Sequence, residues 1–142
     1  LPWLSAVVDE SLRVIPVVLS ARRQAMAPLT VDQWTVPQGT SVACSIYLAH
    51  TRPDAWQAPH RFRPERFLNR KPAPYTYFPF GGGARRCIGW AFALYEMKMV
   101  LATLMRTWSL GSLDRQWPPP VQRRTAVNLP RGGTPVRIVA RR

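Results

Sequence analysis

Leu4, Val7, Val8, Leu12 and Ile15 recur three or four positions apart until Pro16 stops the run. The pattern predicts an amphipathic helix from about Trp3 to Ile15, carrying Glu10 and Arg13. From Val17 to Met26 the residues are β-prone and lead into Leu29 to Val36; the Pro37-Gln38-Gly39-Thr40 turn signature that follows predicts a short hairpin. In Ser41 to Ala49 the residues Val42, Cys44, Ile46 and Leu48 alternate with Ala43, Ser45 and Tyr47. That reads as a strand passing into a helical turn over Ile46 to His50, with Cys44 on the apolar side as a small core residue. Arg52 to Pro79 holds six prolines and no sustained period, which predicts an ordered meander fixed by proline. Helical spacing returns at Phe92, Leu94, Met97, Val100, Leu101, Leu104 and Met105, giving the longest helix, from Gly89 to about Thr107. Beyond Gly111 come Pro118-Pro119-Pro120 and two β-prone runs separated by Pro130-Arg131-Gly132-Gly133, a predicted terminal hairpin.

Composition narrows the class. A chain of 142 residues with 46% hydrophobic content fits one globular domain, and fifteen prolines imply short elements joined by fixed turns. The most apolar stretch, Ile88 to Met105, contains Glu96 and Lys98, so a buried helix is expected rather than a membrane span. Two cysteines, Cys44 and Cys87, build no disulfide framework, and with His50 and His60 they lack zinc-site spacing; both histidines read as structural or solvent-facing. The net charge of +13 suits a nucleic acid, an anionic membrane or an acidic protein, but no nucleic-acid motif accompanies it and no nucleic-acid partner is expected. The chain starts on Leu1 and enters helix at once, which gives the expectation of a C-terminal fragment whose N-terminal portion is missing.

The chemistry concentrates in Phe80-Gly81-Gly82-Gly83-Ala84-Arg85-Arg86-Cys87-Ile88-Gly89, between the meander and the long helix. Glycines let that backbone turn tightly, and a cysteine at a helix mouth beside two arginines sits where negative charge on sulfur is favoured. These ten residues resemble the haem-binding signature of the cytochrome P-450 family, F-x-x-G-x-R-x-C-x-G, at every fixed position. Glu10-Ser11-Leu12-Arg13 matches the family's E-x-x-R motif, and Pro64-Glu65-Arg66-Phe67 its PERF-type motif.

The resemblance covers essentially the whole chain. It implies a mainly α fold with small β-sheets, the part of the cytochrome P-450 fold from helix K to the terminal β-hairpin. Residues 1–142 would be the haem-ligating portion of a single larger domain. The implied cofactor is haem b, iron protoporphyrin IX, with Cys87 as proximal iron ligand. Phe80 would pack beside the sulfur, Arg85 and Arg22 would pair with the haem propionates, and Gly83 and Gly89 would shape the cofactor loop. Glu10, Arg13 and Arg66 would form a structural ion-pair triad. Val17, Val18, Leu19, Ala126 and Val127 would face the substrate.

The implied reaction is insertion of one atom of O2 into a small hydrophobic substrate such as a fatty acid, hydrocarbon or terpenoid. Electrons would come from an acidic ferredoxin or flavodoxin-like partner, with Arg86 a candidate contact and Arg70-Lys71 a further basic pair. The expected location is cytoplasmic, with membrane association through the missing N-terminus left open. The resemblance places the oxygen-activating acid–alcohol pair upstream, so the isolated chain is expected to be inactive. Two other readings stay open: a haem-thiolate isomerase or peroxygenase, and a non-catalytic basic binding module carrying relic motifs. Tyr77 and Phe78 read as loop aromatics that fill the core.

Overall fold

Two prolines bracket the first helix, α1 (Pro2–Val14). The first supplies a φ already suited to a helix start, and Pro16 forces the residue before it out of helix, with Ile15 at φ −127°. The structure is a computed structural model that describes residues 1–113, 120–124 and 127–142, the Arg124 side chain excepted. Ala126, Pro118 and Pro119 of the sequence reading lie outside the described residues.

After α1 the chain forms β1 (Ser20–Gln24), β2 (Leu29–Val31), β3 (Trp34–Val36) and β4 (Ser41–Ser45). β1 and β4 are antiparallel, with Ala21 opposite Cys44 and Arg23 opposite Val42, and β2–β3 make their own antiparallel pair. The hairpin is therefore closed at Asp32-Gln33, not at Pro37–Thr40 as the sequence pattern suggested. Asp32 takes φ 52°, a left-handed turn conformation that a short polar side chain tolerates. The later turn, with Gly39 at φ 84°, instead returns the chain to β4.

β4 runs directly into α2 (Ile46–Thr51), whose first turn is capped by the Ser45 hydroxyl accepting from the Leu48 amide at 3.2 Å. Between α2 and α3 (Trp90–Thr107) the described chain holds turns and two short 3-10 segments, at Pro64–Phe67 and Gly83–Arg85. α3 leads into β5 (Trp108–Ser112), which pairs with the last strand, β8 (Val136–Arg141). β6 (Val121–Arg124) and β7 (Val127–Pro130) pair with each other. The expected terminal hairpin about Pro130–Gly133 is thus corrected: that turn connects two separate sheets.

The core is small: Ala6, Val8, Leu12, Ala25, Ile46 and Trp56 are buried, together with Glu10, Arg13 and His50. Total accessible surface is 10823 Å², against about 7,500 Å² for a self-contained globule of this mass. On α3 no residue is fully buried, and Phe92, Tyr95, Met99 and Val100 are exposed. The expectation of a buried helix is corrected accordingly. The apolar stripe exists, but α1 and β5 cover only part of it. No helix among the described residues is long and apolar enough to cross a membrane.

Candidate functional site

The E-x-x-R spacing puts Glu10 and Arg13 on one face of α1, and both are wholly buried. Arg13 donates from Nε to Glu10 Oε2 at 2.7 Å and from Nη2 to Oε1 at 2.9 Å. The same carboxylate accepts from the Arg63 amide at 2.8 Å and from Arg66 Nε at 3.1 Å. Arg13 Nη1 donates to the His50 carbonyl at 2.8 Å, and Nη2 reaches the Arg61 carbonyl at 3.3 Å. The two guanidinium groups lie over the Trp56 ring at 5.1 Å and 5.9 Å, so one buried charge cluster ties α1, α2 and the meander together.

His50 extends that cluster. Its Nε2 accepts from the Phe78 amide at 2.9 Å, which puts the proton of the neutral ring on Nδ1. Nδ1 is buried and makes no bond of full hydrogen-bond geometry among the described residues. Burial lowers the His50 pKa to about 4, opposed by the pull of the Arg13 and Leu12 backbone on the ring proton and aided by the Arg13 charge. Tyr77 stacks on the imidazole at 5.1 Å and donates from its hydroxyl to Asp9 Oδ1 at 2.9 Å. Burial raises the Asp9 carboxyl above its ordinary range against the opposing hydrogen bond from Tyr77, and burial followed by the Asp9 charge raises the Tyr77 phenol.

Phe78 is the root of the glycine loop. Its carbonyl accepts from Gly81 at 2.9 Å, and the Phe80 carbonyl accepts from the Cys87 amide at 2.9 Å, closing the loop on itself. Gly81 at φ 73° and Gly83 at φ 65° supply the left-handed turns this closure requires. Gly89 then caps α3, leaving the Cys87 thiol exposed just ahead of the helix.

Cys87 lines a cavity of about 500 Å³ whose apolar walls include Leu12, Val17, Val18, Phe80 and Met97. Arg85 and Arg23 also line it, as does Ala21. Side chains alternate along a strand, so Arg22 projects from the opposite face of β1 and Arg23, not Arg22, lines the cavity. Leu19 is likewise absent from the lining; its carbonyl accepts from the Ile46 amide at 2.8 Å while its side chain is exposed. Gly83 lines a second cavity of about 480 Å³, with Asp9, Tyr77 and Arg86, which shares Pro79, Phe80 and Gly81 with the first. Gly89 caps α3 and lines neither.

Val127 sits on a hairpin docked beside the cavity: Asn128 donates from its amide to the Val17 carbonyl at 2.7 Å and from Nδ2 to the Pro16 carbonyl at 3.1 Å. Cys44, expected in the core, is exposed on the two-stranded β1–β4 sheet, opposite Ala21. Arg86 is stacked on Trp90 at 4.0 Å.

This arrangement suits a flat apolar ligand with an acidic edge. A soft sulfur donor lines it, aliphatic and aromatic side chains form the wall, and two guanidinium groups stand ready for anions. Reading residue types missed three contributors, His50, Trp56 and Arg23. Only Arg23 carried a usable signal, the two-residue period of β1.

The Cytochrome P-450 family model matches residues 1–136. A Mycobacterium tuberculosis protein named as cytochrome P-450 137 is 38% identical over 96% of this chain and 28% of its own length. The pig protein named cytochrome P-450 3A29 is 39% identical over 75% of the chain and 22% of its own. Among solved structures, the haem domain of a cytochrome P-450DA mutant superposes with a TM-score of 0.85 at 26% identity, covering 98% of this chain and 31% of that one. The retinoic acid-bound cyanobacterial CYP120A1 gives 0.84 at 31% identity, covering 96% and 32%. The chain spans about three tenths of the length of the curated relatives that match it first. With its three motifs in order and its fold shared with these haem domains, the chain belongs to the cytochrome P-450 family.

Proposed function

We propose that this chain carries the proximal half of a haem-thiolate monooxygenase site, with Cys87 as the iron ligand. The observation that carries the reading is the exposed Cys87 thiol on an apolar cavity, its own amide tied to the Phe80 carbonyl. Haem, the family's cofactor, supplies when bound the activation of O2 that no side chain provides. The donor set fits it: a sulfur ligand, a mainly apolar wall, and the Arg85 and Arg23 guanidinium groups for two carboxylates, with Glu96 also on the lining.

Each residue then has a physical task. Cys87 would hold the iron through its sulfur, and Phe80 would keep water from the sulfur on one side. Arg85 and Arg23 would hold the two propionates. Val17 and Val18 exclude water and present an apolar face to the substrate. The Glu10–Arg13–Arg66 cluster holds α1 against the meander and takes no part in the chemistry.

The substrate class is a hydrophobic molecule such as a fatty acid, hydrocarbon or terpenoid. The apolar wall supports this, and the cyanobacterial neighbour carries retinoic acid, an apolar polyene with one carboxylate. Electrons arrive from an acidic ferredoxin or flavodoxin-like partner on the face that carries Arg86, whose guanidinium is held flat on Trp90. The test is to supply the haem-loaded full-length protein with reduced ferredoxin and isotopically labelled O2 over a fatty-acid and terpenoid panel. One labelled oxygen in the product is expected. Products labelled only from added peroxide would replace the monooxygenase with a peroxygenase.

A further inference from the structure

We propose that His50 is a positioning residue for the Cys87 loop, its imidazole holding the Phe78 amide at the loop's root so that the sulfur is presented in one fixed place. The proposal rests on the haem-thiolate reading above and adds to it a residue outside the three family motifs.

A wholly buried histidine whose Nδ1 makes no bond of full hydrogen-bond geometry is a costly way to fill a core. A phenylalanine would stack on Tyr77 without burying a polar ring. What the imidazole adds is the acceptor at Nε2, 2.9 Å from the Phe78 nitrogen. That amide is the last before Pro79, which has no N–H of its own to anchor the chain. From there the bonds run in sequence: Phe78 carbonyl to Gly81, then Phe80 carbonyl to Cys87, each at 2.9 Å. At its other end His50 offers its carbonyl to Arg13 at 2.8 Å, so one residue fastens the loop root to the buried charge cluster. The T-shaped contact with the Phe78 ring, 5.7 Å between centroids, fixes the same residue from a second direction.

Two substitutions separate the acceptor from the bulk. His50→Phe keeps an aromatic ring against Tyr77 and removes the acceptor, whereas His50→Gln returns an oxygen acceptor. The readout, on haem-loaded full-length protein at matched haem content, is the ratio of the strongly red-shifted Soret band of the ferrous carbon monoxide complex to the unshifted band. His50→Phe is expected to lower that ratio about tenfold, the effect of one buried donor left unpaired. His50→Gln is expected to restore most of it.

A wild-type ratio in His50→Phe overturns the proposal, as does an equal loss in both variants. Amide exchange at Phe78 in the unmutated protein gives a second arm that needs no variant to fold. Slow exchange supports the hydrogen bond, and exchange as fast as in an open loop overturns it. An unmutated protein with no red-shifted band at full haem content would instead sink the thiolate reading, and this proposal with it.

Discussion

Replacing Glu10 by glutamine keeps the side-chain shape and removes the charge. In the native chain that carboxylate is inaccessible to solvent and accepts four hydrogen bonds, two from Arg13, one from the Arg63 amide and one from Arg66. All four donors point inward, so a glutamine must turn its own NH2 toward at least one of them. Arg13 would then keep a buried positive charge with no counterion, a defect that costs about 3–5 kcal/mol. Native stability is only about 5–15 kcal/mol, so the loss removes a large fraction of it. Arg66 is partly open to water and bonds also to the Gln57 carbonyl, so Arg66→Ala should cost visibly less. The assay is denaturant unfolding of the haem-loaded full-length protein, with haem release followed in parallel. A Glu10→Gln variant that unfolds within about 1 kcal/mol of the parent would refute the reasoning, because the cluster would then not depend on its charge.

Two further outcomes follow from the geometry. Burial holds His50 neutral, so the unfolded chain binds a proton near pH 6.5 that the folded chain refuses until about pH 4. Its contribution is complete above pH 6.5 and is lost as pH falls toward 4, up to about 3 kcal/mol. Asp9 acts in the opposite sense because its carboxyl is raised, so the difference between unfolding curves of the parent and His50→Gln isolates the histidine; parallel curves across that window would contradict it. On the cavity wall, Arg23→Ala should speed haem loss on the order of tenfold while Arg22→Ala leaves it unchanged, and the reverse ranking in a haem-transfer assay would restore Arg22 to the site.

The long elements were legible because their apolar period repeats many times. α1 and α3 announce themselves over several turns, and a spacing of three from Glu10 to Arg13 is enough to set both on one face. The loop from Phe80 to Cys87 was legible because glycine and cysteine are each needed there for a reason that does not depend on distant contacts. Pairings between remote strands were not: nothing near Trp108 says that its partner is Arg141. Arg22 and Arg23 differ by one residue, and in a strand one residue is the whole difference between facing the cavity and facing away. Amphipathicity told which face of α3 is apolar but not whether anything covers it. His50 carried no pattern at all, since its role depends on Phe78 and Arg13 arriving beside it from elsewhere in the chain.

The central claim is that Cys87 binds the haem iron through its sulfur. The most direct measurement is the ferrous carbon monoxide difference spectrum of the haem-loaded full-length protein, compared with its Cys87→Ala and Cys44→Ala variants. The strongly red-shifted Soret band of a thiolate ligand should be present in the parent, kept in Cys44→Ala and abolished in Cys87→Ala. A band that survives Cys87→Ala, or that disappears with Cys44 instead, would contradict the assignment.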